Sequence, residues 1–106
     1  SQPTIEIERR DGEERGCYAA LDGPRTVGEL HYERRDGRIV ATHTEVDAAL
    51  RGRGIALELV KALVADARAE SMSIVPHCSY VRRQLETHPE WQDVLHRAGG
   101  ETGRAR

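Results

Sequence analysis

The sequence contains no phenylalanine, one tryptophan and three tyrosines in 106 residues. An aromatic-rich core is therefore excluded, and burial has to come from aliphatic side chains. Two cysteines cannot staple a chain of this length, which argues against a secreted disulfide scaffold. A strong charge of one sign is also missing: 16 Lys and Arg stand against 18 Asp and Glu, a net charge of −2. Nucleic-acid modules carry a basic stripe, whereas Arg9, Arg10, Arg34 and Arg35 sit among carboxylates, so nucleic acid is not an expected partner. No apolar run approaches the roughly 20 residues of a membrane span, and no apolar signal segment opens the sequence. The expectation is a small cytoplasmic protein without a membrane partner. Length favours one domain, expected over residues 1–98. Residues 99–106 lack an apolar anchor and are expected to form a flexible tail.

What is present divides into two halves. In 4–9, Ile5 and Ile7 alternate with Glu6 and Glu8, the period-two signature of a half-buried strand. Further strands are predicted over 16–21, 26–34 and 38–46, with Asp11-Gly12, Asp22-Gly23-Pro24 and Asp36-Gly37 as punctuation. Asp36-Gly37 between two such runs predicts a two-residue hairpin, because a type I′ turn needs positive φ at both central positions. From about Gly52 to Ala69 the period changes. Ile55, Leu59, Ala62, Leu63 and Ala67 follow helical spacing, with Val60 and Val64 widening the stripe. A short strand over 73–75, ended by Pro76, completes a strand–helix–strand unit, which predicts a parallel pair with 38–46. Ser79 is the expected N-cap of a further helix running to about Glu86. Thr87-His88-Pro89-Glu90 reads as a capping box for a last short helix through Trp91 and Leu95.

Chemistry concentrates in Arg51-Gly52-Arg53-Gly54-Ile55-Ala56, between a strand and the start of the long helix. Glycines let the backbone turn sharply and present its amides to a ligand. The helix start adds unpaired N–H donors and the positive end of its dipole. Together they suit a pyrophosphate. The Lys-Ser/Thr pair of a nucleotide-binding P-loop is absent, as are the three glycines and later acidic residue of a dinucleotide fingerprint. A turn serving only geometry is the alternative.

Arg51-x-x-Gly54-x-Ala56 resembles the Gln/Arg-x-x-Gly-x-Gly/Ala signature of the GNAT superfamily of acetyl-CoA-dependent N-acetyltransferases. His43-Thr44-Glu45-Val46 before the loop, Pro76-x-Cys78-Ser79-Tyr80-Val81 after the helix, and His88-Pro89-Glu90-Trp91 resemble its minimal single-domain subgroup. The resemblance spans roughly Thr26 to Val94. It implies a mixed α/β fold: a twisted, mostly antiparallel sheet of about five strands, with a parallel central pair and two to three helices. It also implies acetyl-CoA as co-substrate, entering where the fourth and fifth strands part. The amides of Gly52, Arg53, Gly54, Ile55 and Ala56 would hold the diphosphate, Arg51 and Arg53 would add charge, and Val46 would offer backbone groups to the pantetheine arm. Ser79 and Tyr80 complete the expected cofactor contacts. Larger members insert helices between the first two strands; this chain has no room for them, so part of the acceptor wall is missing.

Two residues are candidates for the reacting groups. Cys78 follows a strand end and precedes a helix, and a helix N-terminus favours a thiolate. It would act as a nucleophile forming acetyl-cysteine, or as an acid and hydrogen-bond partner during direct attack; a structural cysteine is the alternative. His43 lies three residues before Val46, and an imidazole suits removal of a proton from an amine. Glu45 shares its face by alternation. Cys17 reads as packing, and His31, His88 and His96 lack ligand spacing to one another, so no metal is expected. Acetyl transfer to a small-molecule or peptide amine is the favoured reading. A CoA-binding module with little turnover is the alternative. Nothing in the sequence fixes an oligomeric state.

Overall fold

Four antiparallel strands are laid down in chain order by the turns read above. The computed structural model describes residues 4–96. β1 (Ile5–Arg10), β2 (Arg15–Asp22), β3 (Arg25–Arg35) and β4 (Arg38–Val46) pair successively antiparallel, and β5 (Ile74–Pro76) joins β4 in parallel at the end of the order β1-β2-β3-β4-β5. Asp36 and Gly37 have φ of 53° and 73°, the paired positive values that the hairpin between β3 and β4 requires. The link between β1 and β2 is only residues 11–14.

The helix α1 (Ile55–Ala69) buries Ile55, Leu59, Val60, Leu63, Val64 and Ala67, the stripe predicted by its spacing. It packs on the sheet face that carries Tyr18, Leu30, Tyr32, Ile39 and Ala41. α2 (Ser79–Thr87) adds Val81 and Leu85 to the same cluster. The lack of phenylalanine is met by aliphatic packing around two buried tyrosines whose hydroxyls stay bonded. Tyr18 donates to Asp66 Oδ2 at 2.8 Å and Tyr32 bonds Asp11. Between them lies the Arg9 guanidinium, 5.4 Å from each ring centroid and bonded to Glu70 at 2.6 Å. This ties β1 to the last turn of α1.

Two local expectations are corrected. Cys78, not Ser79, occupies the N-cap of α2, with extended backbone angles and no side-chain cap bond; Ser79 is already helical. The expected capping box does not form either. Thr87 ends α2 and donates to Arg83 O at 2.8 Å, while the His88 ring bonds Gln84 O at 2.7 Å and stacks on Trp91 at 4.2 Å. Only a 3-10 turn, Pro89–Trp91, follows. Beyond it the backbone extends to pair with Ile74, through Ile74 N to Val94 O at 2.6 Å and His96 N to Ile74 O at 2.8 Å. Those strand bonds replace the helix expected through Leu95. The expected tail, 99–106, lies outside the described residues.

Candidate active site

A one-residue bulge prepares the site. The register pairs His31 with His43 but Tyr32 with Ala41, so Thr42 has no residue opposite it on β3. A bulge changes which backbone groups face each neighbour. Before it, Ile39 bonds Ser73 on the β5 side; after it, Asp47 N bonds Val27 O on the β3 side at 2.8 Å. By alternation His43 and Glu45 also face β3. The amides and carbonyls of Thr44 and Val46 therefore face the side that β5 has left.

β5 leaves because its pairing stops at Pro76, opposite Ala41, and proline has no N–H to continue it. Ala41 O accepts both His77 N and Cys78 N at 3.0 Å, and the chain turns into α2. Strand β4 runs on to Val46 paired with β3 only. The wedge so formed is a cleft of about 570 Å3 lined by His43, Thr44, Glu45, Val46, Leu50, Arg51, Gly52, Gly54, Ile55, Ala56, Leu57 and Tyr80.

The end of the cleft at the start of α1 is built by glycine. Gly52 and Gly54 have φ of 85° and 79°, left-handed values that L side chains rarely adopt. Gly54 is the N-cap of α1 and supplies no side-chain bond. Among the described residues, no amide from Gly52 to Leu57 donates to the protein; the first bonded one is Glu58, to Gly54 O at 3.1 Å. Arg51, Gly52, Arg53 and Gly54 are exposed. These amides form a solvent-facing concavity able to hold an anion, and the exposed Arg51 and Arg53 guanidiniums add positive charge. The residues present fit a diphosphate.

Of the residues predicted from sequence, Val46, Arg51, Gly52, Gly54, Ile55, Ala56, Tyr80 and His43 line one cleft. Arg53 stands on the same loop and Ser79 at the exposed start of α2, both outside the lining. Half-buried Cys78 reaches the cleft wall through Thr44, its thiol 3.4 Å from Thr44 Oγ1. Burial, and then the neighbouring Cys78, push the Tyr80 phenol above its usual 10, so it is protonated at neutral pH. Cys17 is different: it lies outside the cleft, and burial raises its thiol above the usual 9.0.

His43 and Glu45 project to the sheet face opposite α1, bonded to each other at 3.1 Å. The sequence reading missed their counterparts. His31 is the direct cross-strand partner of His43 and bonds Glu29 at 2.8 Å, and Glu29 is the partner of Glu45. The two imidazoles lie 6.3 Å apart by ring centroids. Among the described residues, no group of three or more His, Cys, Asp or Glu is placed to hold a metal ion.

A parallel wedge between β4 and β5, closed at one end by an unpaired helix-start loop, defines an N-acetyltransferase-type fold. The comparisons agree. The GCN5-related N-acetyl-transferase family model matches residues 17–94. Protein NATD1 of Gallus gallus is 34% identical over 93 residues, covering 87% of this chain and 84% of that protein. A GCN5-like N-acetyltransferase candidate from Staphylococcus aureus, solved by NMR, superposes with a TM-score of 0.66 at 31% identity, over 84% of this chain and 87% of that one. The crystal structure of ribosomal-protein-alanine N-acetyltransferase from Brucella melitensis biovar Abortus 2308 shares the fold, with a TM-score of 0.58 at 22% identity, over 71% of this chain and 61% of that one. The chain belongs to the GCN5-related N-acetyltransferase family.

Proposed function

We propose that the protein transfers an acetyl group from acetyl-CoA to an amine. The observation that carries this reading is the run of unpaired, solvent-facing amides from Gly52 to Leu57 at one end of the β4–β5 wedge. In this reading the diphosphate sits on the amides of Gly52 to Ala56, flanked by Arg51 and Arg53. The pantetheine arm lies along Thr44 and Val46, whose outward backbone groups bond it as a neighbouring strand would. Ser79 and Tyr80 contact it from α2.

Transfer requires the amine to lose a proton, its nitrogen to form a bond to the thioester carbon, the carbon–sulfur bond to break, and the departing thiolate to gain a proton. His43, backed by Glu45, takes the amine proton. Cys78 serves the sulfur side, by protonating the thiolate or by carrying the acetyl group as a thioester between two half-reactions. Mass spectrometry after exposure to acetyl-CoA alone separates these routes, since only the second leaves an acetyl group on Cys78.

Calorimetry with acetyl-CoA, followed by release of free CoA thiol across a panel of amines, tests the proposal. Binding with amine-dependent release is expected. Binding without release would reduce the protein to a CoA-binding module, and absence of binding would overturn both.

A further inference from the structure

The sheet face turned away from α1 carries a second cavity, of about 460 Å3, lined in part by Arg10, Arg15, Cys17, His31, Glu33 and His43. It meets the acetyl-CoA cleft at His43, which lines both. Of the residues lining it, Tyr32 alone belongs to the apolar cluster under the helices, and the four-residue link from β1 to β2 places no helix over it.

The charges along this face are polarised. Beyond the cavity, past its His43 end, Glu29 and Glu45 oppose each other directly across β3 and β4. Their side-chain partners are His31 and His43 rather than Lys or Arg. Like charges in directly opposed positions cost stability, and a cation placed there relieves that cost. At the other end stand two guanidiniums. Arg10 bonds Glu8 at 3.0 Å. Glu33, the cross-strand partner of Arg15, is engaged by Arg35. Arg15 itself forms no ion pair among the described residues. Gly16 and Cys17 floor the space between the ends.

We infer that this groove binds the acceptor, and that the acceptor is a primary amine carrying a carboxylate at the far end of an aliphatic spacer. The ammonium lies at Glu45, Glu29 and His43, the spacer crosses Cys17, and the carboxylate meets Arg15 and Arg10. Strand spacing and rise put the His43 and Arg15 backbones about 12 Å apart. A spacer of roughly the length of a hexyl chain, together with the reach of the two side chains, spans that distance. The inference rests on the acetyl-transfer reading above and deepens it by naming the acceptor class.

The test is an NMR titration of the CoA-saturated protein with ε-aminocaproate and, separately, n-hexylamine. Amide shifts at Gly16, Cys17 and His31 are expected with ε-aminocaproate, and hexylamine should bind about tenfold more weakly, the worth of one charge-assisted pair. Arg15→Gln, a substitution at an exposed position, should reduce that difference by at least half, Arg10 remaining. Equal binding of the two amines, shifts confined to other regions, or a preference undiminished in R15Q would overturn the inference. CoA-thiol release from acetyl-CoA with the same amines separates the two levels. Groove binding without release in any amine contradicts acetyl transfer and leaves the groove standing. Release without shifts in the groove contradicts the groove alone.

Discussion

The Cys78 thiol donates to the Thr44 hydroxyl across 3.4 Å, spanning the place where β4 and β5 separate. One residue caps α2 and the other belongs to the stretch of β4 left without a neighbour on the β5 side, so this contact holds the thiol beside the path proposed for the thioester. Cys78→Ala should lower kcat by about a hundredfold or more, the usual worth of a positioned proton donor or nucleophile. Acetyl-CoA affinity should stay within about threefold, because the diphosphate end is untouched. Steady-state kinetics beside calorimetry check this; an unchanged kcat would make Cys78 structural.

Gly54 sets the other end of the cleft. At φ of 79° any other residue carries backbone strain of roughly 1–2 kcal/mol. The ideal Cβ position meets nothing within 4 Å, so a side chain there projects into open space. Gly54→Glu should keep the fold and weaken acetyl-CoA binding at least about tenfold by placing a carboxylate beside the diphosphate. Calorimetry on the variant, with circular dichroism to confirm folding, measures it.

Stability depends on a close approach at Gly16. A Cβ on Gly16 would lie 2.5 Å from Tyr32 Oη and 2.7 Å from Arg10 O. Gly16→Ala should therefore destabilise the protein by about 1–3 kcal/mol, as overpacking does, displacing the Tyr32 hydroxyl from Arg9 and Asp11. Urea unfolding reads this out.

The same network sets the acid limb. The bond from Arg9, reinforced by Arg34, holds the Glu70 carboxyl below its usual 4.5, and bonds from Tyr32 and then Arg34 hold Asp11 below 3.8. A depressed carboxylate contributes stability that is present above its unfolded value and is lost as pH falls through the folded one. Melting temperature should fall steadily below about pH 4.5, the value from which Glu70 is depressed. Arg9→Met should cost about 2 kcal/mol at neutral pH, the scale of a hydrogen bond to a charged group, and flatten that acid slope. Thermal melts over a pH series check both.

The order of strands and helices was legible because its signals are local. Asp36-Gly37 dictates a turn, Ile5 and Ile7 alternate, and the Ile55–Ala67 stripe has helical period. The glycine loop was equally legible, since positive φ and the missing Cβ are properties of single residues. What escaped was set by the Thr42 bulge. A plain two-residue hairpin at Asp36-Gly37 would place His31 opposite Thr42; the extra residue moves it opposite His43. No residue type announces that slip, so Glu29 and His31 could not be joined to His43 and Glu45 from spacing. Ser79 and Thr87 misled for a related reason. Each has capping chemistry, but Cys78 is held by Ala41 O, a non-local contact, and His88 by Gln84 O and Trp91 within a turn of it, and these contacts decided the helix ends.

The central claim is that the unpaired amides at the start of α1, with the free edge of β4, hold acetyl-CoA. Following the amide NMR spectrum while acetyl-CoA is added tests it most directly. The account predicts the largest shifts at Gly52, Gly54, Ile55 and Ala56, together with Thr44 and Val46. A spectrum in which these signals stay in place at saturating acetyl-CoA, or move only with residues outside the cleft, would contradict it.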